Sequence, residues 1–396
     1  MIQILLTSLP ILVCLFWAVT LICDIVLARH HAEALATSPG WVSPRYYLLL
    51  FLIVTAELYF DHYIYFNHLT SLLPLSDSLY VAANLAVYPL YYLYICKLTQ
   101  RKGVRRRQLA LLLPAIAGGT AAALLYGQMS GEDTALFIEQ YLYRGERPEM
   151  GLAGAYQMYV HDVCKAVFGV LVIAVFVMGN RRIAQYEHLI NNSYANTENK
   201  SLVPLHHMLI AFVVTSAASF VCNLVGRHRF VDSQWLLTLP SAAFSVLMFA
   251  IGYIGCHTQF NIWHIEQDEE GITPPDDCLA DATEVDVSLL RQRIERLMNE
   301  EQLYLQPNLK IADLSAGLAT NRNYIYQAIN REMKMSFSEY INRMRIAHAC
   351  AMIDETPRIS LTEVAEKSGF NSATSFYRNF KLYMHISPKA YQDKKR

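Results

Sequence analysis

Seven stretches of this chain run for about twenty residues each with few or no charges, and nothing else in it limits the fold as strongly. They are Ile2 to about Ala28, then roughly 45–67, 78–98, 108–127, 154–179, 205–226 and 235–258. About 20 apolar helical residues are needed to cross the hydrocarbon core of a bilayer. The first run is too long for the core of a secretion signal. It also lacks a basic leader and a small-residue cleavage site, so it reads as a retained helix. Hydrophobic residues make up 54% of the chain and charged ones 17%, and the apolar excess sits almost wholly before residue 258. The expected fold is all-α, with a seven-transmembrane helical bundle over 1–258, a linker over 259–285 and a soluble domain over 286–396.

Lysine and arginine in the connections give the orientation. One set of alternate loops holds Arg29, Arg45, Lys97, Arg101, Lys102, Arg105, Arg106, Arg107, Arg181, Arg182 and Lys200, which is 11 cations. The opposite set holds only 4, Arg144, Arg147, Arg227 and Arg229. The N-terminus is therefore expected outside the cell and the C-terminal domain in the cytoplasm. The eight cysteines are scattered with no C-x-x-C pair, which suits isolated thiols rather than disulfides or a metal site. No metal or other cofactor is expected.

Ionisable groups inside a bilayer are costly and tend to face the bundle interior. Span two carries Glu57, Asp61 and His62; span five carries His161, Asp162 and Lys165. Glu57 and Asp61 are four apart, as are His161 and Lys165, so each pair shares a helical face. Opposite chain directions put both sets in the outer half of the membrane. Glu57, Asp61, His62, His161 and Lys165 are thus candidates for a pocket taking a small-molecule or membrane-borne ligand, with Asn84 and Asn223 as additions. The plainer reading is an ion pair from Glu57 or Asp61 to Lys165 that holds the bundle together. The 128–153 loop, with Glu132, Asp133, Glu139, Glu146, Glu149, Tyr141 and Tyr143, is either a lid or a solvated connection. Tyr88, Tyr91, Tyr92 and Tyr94 are expected at the membrane interface.

Between Gln259 and Val285 eight Asp and Glu appear without one Lys or Arg, around Pro274-Pro275, as in an extended, self-repelling linker. The last 111 residues invert that balance, with 17 Lys and Arg against 12 Asp and Glu. Asp286 to about Leu303 is amphipathic through Val287, Leu290, Ile294, Leu297 and Met298. Ile311–Leu318 and 321–332 read as one helix-turn-helix, the second helix capped by Asn321. In 361–391, Val364 and Ala365 open an apolar face, Gly369 breaks it, and Phe370, Phe376 and Phe380 resume it. That is a second helix-turn-helix. Its outward face offers small polar groups, one aromatic and two cations, a mixture suited to a DNA groove.

The order Ala365, Gly369, Phe370, Phe376, Arg378, Phe380, Lys381, Ser387, Pro388, Tyr391 resembles the second helix-turn-helix of the AraC/XylS transcription regulators. Phe337, Tyr340, Ile341, Arg343, Arg345, Ile346 and Ala347 resemble that family's connecting helix. Two family glycines are replaced, by Lys334 and His385, at positions that favour left-handed backbone. The resemblance implies two helix-turn-helix units on one connecting rod, about 27 Å long at 1.5 Å per residue, against a spacing of about 34 Å between successive major grooves. It further implies Asn323, Tyr326 and Gln327 as base readers of the first unit, and Ala373, Thr374, Tyr377 and Arg378 of the second. Arg322, Asn330, Ser372 and Lys381 become phosphate contacts. The family's usual soluble ligand-binding domain has no counterpart here.

Together these readings describe a non-enzymatic transcription regulator, anchored in a bacterial inner membrane, whose tail binds double-stranded DNA under control of a signal sensed by the bundle. A tail that forms a homodimer when signalled would engage four groove segments instead of two. The rival class is a membrane transporter or enzyme carrying a regulatory tail; a third makes the tail a protein-binding module. No H-E-x-x-H or G-x-S-x-G occurs to support catalysis. Orientation is directly measurable. A fluorescent protein fused after Arg396 should fold and shine, and a phosphatase active only outside the cytoplasm should be silent there. The reverse pattern would overturn the charge reading.

Overall fold

The computed structural model describes residues 2–35, 42–100, 104–225, 234–258, 260–262, 264–265 and 287–396, with no β-strand among them. The side chains of Arg29 and Asn223, the cations Arg101, Lys102, Arg227 and Arg229, and most of the acidic linker lie outside the described residues. The chain divides into two compact units, 1–183 with 202–263, and 184–201 with 264–396.

The first unit is a helical bundle. Its helices are α1 (Ile2–Leu35), α2 (Val42–Phe66), α3 (Leu73–Thr99), α4 (Leu113–Tyr126), the short α5 (Gly131–Leu136), the first part of α6 (Leu152–Ser193), α7 (Val203–Val225) and α8 (Gln234–His257). Six segments among the described residues are long and apolar enough to cross a membrane, namely α1, α2, Thr70–Thr99, Arg106–Tyr126, α6 and α8. In α7 the described apolar part is the shorter Val203–Ala218.

Helix α3 is the hub. It packs on α2 and α4, and Tyr88 and Tyr91 meet Phe212 of α7, with Tyr88 stacked on it at 4.3 Å. Tyr88, Tyr91, Tyr92 and Tyr94 are all buried, so the interfacial placement expected for them does not hold. Tyr88 and Tyr91 donate to the carbonyls of Phe212 and Leu205, at 3.2 and 3.5 Å, which lets these phenols sit in a core. Arg45 is likewise buried rather than a loop cation. It pairs with Asp24 of α1 at 2.9 Å and donates to the Cys256 carbonyl of α8 at 3.1 Å. A close helix contact completes this corner, since a Cβ on Gly252 would fall 2.3 Å from the Trp17 ring.

Two segments are more ordered than their composition suggests. Residues 137–144 continue α5 as a widened turn that buries Phe137, Ile138 and Tyr141. Tyr143 and Tyr65 exchange hydrogen bonds with each other's strand of chain, at 2.9 Å to the Tyr65 carbonyl and 2.8 Å to that of Leu142. The 128–153 stretch is thus packed down rather than a bare connection. Helix α6 does not stop near 179. It runs 42 residues to Ser193, because Arg181-Arg182 are good helix formers and no breaker follows them.

The second unit holds α9 (Val287–Glu301), α10 (Ile311–Gly317), α11 (Arg322–Gln327, prolonged by a widened turn to Glu332), α12 (Phe337–Glu355), α13 (Leu361–Lys367), α14 (Ala373–Met384) and α15 (Pro388–Asp393). It has two small cores. Leu290, Ile294, Met298, Leu314, Ile325 and Ile329 form the first with Phe337 and Ile341. Val364, Phe370, Phe376 and Phe380 form the second with Ile346, Ala349 and Ile353. Helix α12 supplies a wall to each, so one 19-residue helix links the two cores. Caps set its neighbours: Ser336, Ser372 and Ser387 accept from the backbone N–H three residues on.

The turn of the second unit needs glycine at 369, where φ is 80° and a Cβ would lie 2.6 Å from the Leu305 carbonyl oxygen. The equivalent turn of the first helix-turn-helix has Ala319 at φ 50°. Lys334 and His385 also sit left-handed, at 54° and 58°, as their replacement of family glycines implies. Ala319→Gly, Lys334→Gly and His385→Gly should each stabilise this unit by about 0.5–1 kcal/mol, whereas Gly369→Ala should cost roughly 2–4 kcal/mol. Hydrogen exchange of the α12 and α14 amides reads both directions; a stabilising Gly369→Ala would contradict the clash.

Candidate nucleic-acid interface

Two exposed helix faces are presented by the second unit. Helix α11 begins at Asn321, whose side chain accepts from the Asn323 amide at 2.8 Å. Burial of Ile325, Ala328 and Ile329 turns Asn323 outward and leaves Arg322, Tyr326, Gln327 and Asn330 partly exposed. Helix α14 buries Phe376 and Phe380 completely, along with Ser375 and Asn379. Ala373, Thr374, Tyr377, Arg378 and Lys381 consequently face solvent, and Ser372 caps the helix from its edge. Every side chain read from sequence as a DNA contact is at least partly accessible, and in α14 Phe376 and Phe380 are buried as their spacing indicated.

What holds the two faces in register was less legible. Arg345 of α12 is only 1% exposed. Its guanidinium donates to the carbonyls of Tyr304 and Gln306, each at 2.6 Å, and lies 5.7 Å from the centre of the Phe370 ring. The Tyr304–Gln306 turn is the one whose Leu305 carbonyl packs on Gly369. One cation thus ties the connecting helix, the leading turn of the first helix-turn-helix and the core of the second. Burial lowers its pKa to about 10, so it stays charged at neutral pH. Resemblance placed Arg345 on the connecting helix, but only the fold shows this use.

The five bundle residues proposed as a pocket are brought together in part. Asp61 is buried and accepts from Ser76 at 2.6 Å; His161 is buried with Nε2 2.9 Å from the Asp77 carboxylate. Ser76 and Asp77 are adjacent on α3, so spans two and five meet through span three. Tyr126 donates to Asp77 at 2.9 Å, and the Phe137 and Tyr141 rings cover His161. Lys165 does not pair with Glu57 or Asp61. It is exposed, and its ammonium lies 3.6 Å from Asp162 on its own helix. Asp162 also takes Arg147 and the Tyr141 hydroxyl. His62 places its Nδ1 2.7 Å from the Leu58 carbonyl and its ring 5.3 Å from that of Tyr80 on α3, and Glu57 is half-buried. Asp77 was the missed member. It stands one residue before the apolar run of span three begins, outside the stretch read for ionisable groups.

Residues 314–394 match the model of a helix-turn-helix domain. The melibiose operon regulatory protein of Escherichia coli is 33% identical over 84 residues, 21% of this chain and 28% of that protein. An uncharacterized HTH-type transcriptional regulator of Staphylococcus aureus is 26% identical over 100 residues, 25% of this chain and 13% of that one. The chain therefore spans well under a third of the length of either relative. Among solved structures, a protein of unknown function from Listeria innocua is 27% identical, covering 26% of this chain and 96% of that one, with a TM-score of 0.24. The C-terminal domain of the response regulator yesN from Fusobacterium nucleatum is 25% identical, with a TM-score of 0.23. The C-terminal region is an AraC-type helix-turn-helix domain whose relatives are named as transcription regulators.

Removing the buried cation while filling its space tests the tie. Arg345→Met should leave the Tyr304 and Gln306 carbonyls without their donor, costing roughly 2–4 kcal/mol. Faster exchange should then spread over α10, α13 and α14 together. Loss confined to α12 would assign Arg345 a merely local role.

Proposed function

We propose that this chain is a membrane-anchored, one-component transcription regulator, with a bundle that senses a signal and a tail that reads DNA. The DNA half rests on the two exposed faces of α11 and α14, each backed by its own core and joined by α12 at about 28 Å for 19 residues at 1.5 Å each. A rod of that length suits neighbouring major grooves. Asn323, Gln327 and Arg378 can pair with base edges, while Ala373 and Thr374 can meet a thymine methyl. Lys381, Arg322, Asn330 and Ser372 suit phosphates, which fix register rather than sequence.

The membrane half rests on what the bundle shows on its outside. Leu124 and Val170 are each 67% exposed and Val246 is 69% exposed, on three different helices. Apolar side chains so open are expensive in water and neutral in lipid, and they belong to helices of crossing length. The loop charges favour the tail in the cytoplasm of a bacterial inner membrane. The buried Asp61–Ser76 and Asp77–His161 contacts are the polar features most suited to detecting a signal, because three helices meet there. A ligand shifts the bundle only by its difference in affinity for two states. We read the chain as a regulator and not an enzyme.

Mapping where the intact protein sits on the genome tests the DNA reading. Arg378→Ala should relax preference at one base position by about 1–3 kcal/mol, roughly 5- to 150-fold, with the rest of the motif unchanged. Lys381→Ala should instead weaken all sites alike and lower the salt dependence by about one phosphate. A map indifferent to both substitutions would remove DNA reading by α14.

A further inference from the structure

The second unit contains a piece that the soluble tail does not supply. Residues 184–201, the end of α6 and the chain beyond it, belong to this unit although they stand between two apolar helices in sequence. Ala195, 1% exposed, is part of the first core. Its N–H donates to the Leu309 carbonyl at 3.0 Å, and its carbonyl accepts from Ser338 and Asn342 of α12 at 3.1 and 3.2 Å. The segment is thus anchored through its backbone to the rod that joins the two helix-turn-helix units.

From that anchor it reaches both reading helices. Upstream, the His188 ring lies 6.2 Å from that of Tyr326, and Asn192 Oδ1 accepts from Asn330 at 2.9 Å. Downstream, the Glu198 carboxylate accepts from Ser372 Oγ at 2.7 Å, at the N-terminus of the 12-residue α14. Asn191 and Thr197 line the same open cleft as Arg378. Tyr326, Asn330, Ser372 and Arg378 are four of the residues assigned to DNA. A carboxylate on a hydroxyl that caps a helix N-terminus makes the contact a DNA phosphate would make. A duplex lying along both reading helices has to cross the cleft that this segment lines, and Glu198 adds like-charge repulsion.

We propose that residues 188–198 are a built-in competitor for DNA: docked, they cover contacts of both helix-turn-helix units, and the tail binds a duplex only after they leave. The inference rests on the DNA reading of α11 and α14. Because the segment continues α6, whose other part bears His161, it is a covalent route by which a change in the bundle would reach the cleft. Docking and DNA binding, being mutually exclusive, oppose each other by equal free energies. DNA affinity is then reduced by the fraction of tails left open.

The test uses the full chain in lipid nanodiscs and a labelled random-sequence duplex pool, which reads phosphate contacts without an operator. Asn192→Ala and Glu198→Ala each remove one clamp hydrogen bond and should raise affinity about five- to tenfold. Asn192→Ala keeps the charge, so a rise there is not electrostatic. The unaltered protein supplies a second readout, because a saturating duplex should speed hydrogen exchange at the Ala195 amide and through 188–198. Unchanged or lower affinity in both variants, with exchange at Ala195 indifferent to DNA, would falsify the competitor and make the segment a fixed part of the domain. No binding by any form would remove the DNA reading as well, which the Arg378→Ala map judges separately.

Discussion

The geometry of the helix-turn-helix domain depends on a guanidinium held in a nearly dry place. Two cores as small as these would each be marginal alone, since apolar area buried per residue falls with size. Helix α12 lends a wall to both, and Arg345 fastens the carbonyls of Tyr304 and Gln306 to the Phe370 ring between them. Burying a cation is costly unless its donors are satisfied and its partners fixed. The arrangement therefore specifies one relation between the two helix-turn-helix cores. The backbone follows suit, for Gly369 has no Cβ where the Leu305 carbonyl approaches it.

The bundle solves a different problem with the same chemistry. Its outside is apolar, so specificity has to come from polar and aromatic contacts inside. Asp24 with Arg45, Ser76 with Asp61, and Asp77 with His161 each join separate helices. Tyrosines on α3 add hydroxyls that find carbonyls on α7. These contacts mark where the bundle has a preferred packing, and so where a second packing would be distinguishable from it.

Much of this was legible from one-dimensional pattern. Crossing length and low charge identify the apolar helices, and the spacing of Phe376 and Phe380 fixes which face of α14 is outward. Caps such as Asn321 and Ser372 mark helix starts, and Lys334 and His385 declare left-handed backbone through the glycines they replace. Pattern failed where a residue's role depends on a partner far along the chain. Tyr88 and Arg45 look interfacial because tyrosine and arginine usually are. Their burial follows from Phe212, Asp24 and Cys256, 124, 21 and 211 residues away.

By itself, then, the sequence determined the helices, the faces they expose and the kind of surface each needs, because those follow from local period, length and charge. Only tertiary structure decided which polar groups meet: Lys165 with Asp162 rather than Glu57 or Asp61, His161 with Asp77, and Glu198 with Ser372. A polar contact depends on distance and direction, and a linear pattern carries neither. For the same reason, residues 184–201 read as a basic-flanked loop in sequence, yet they are packed against the first core and the connecting helix of the helix-turn-helix domain.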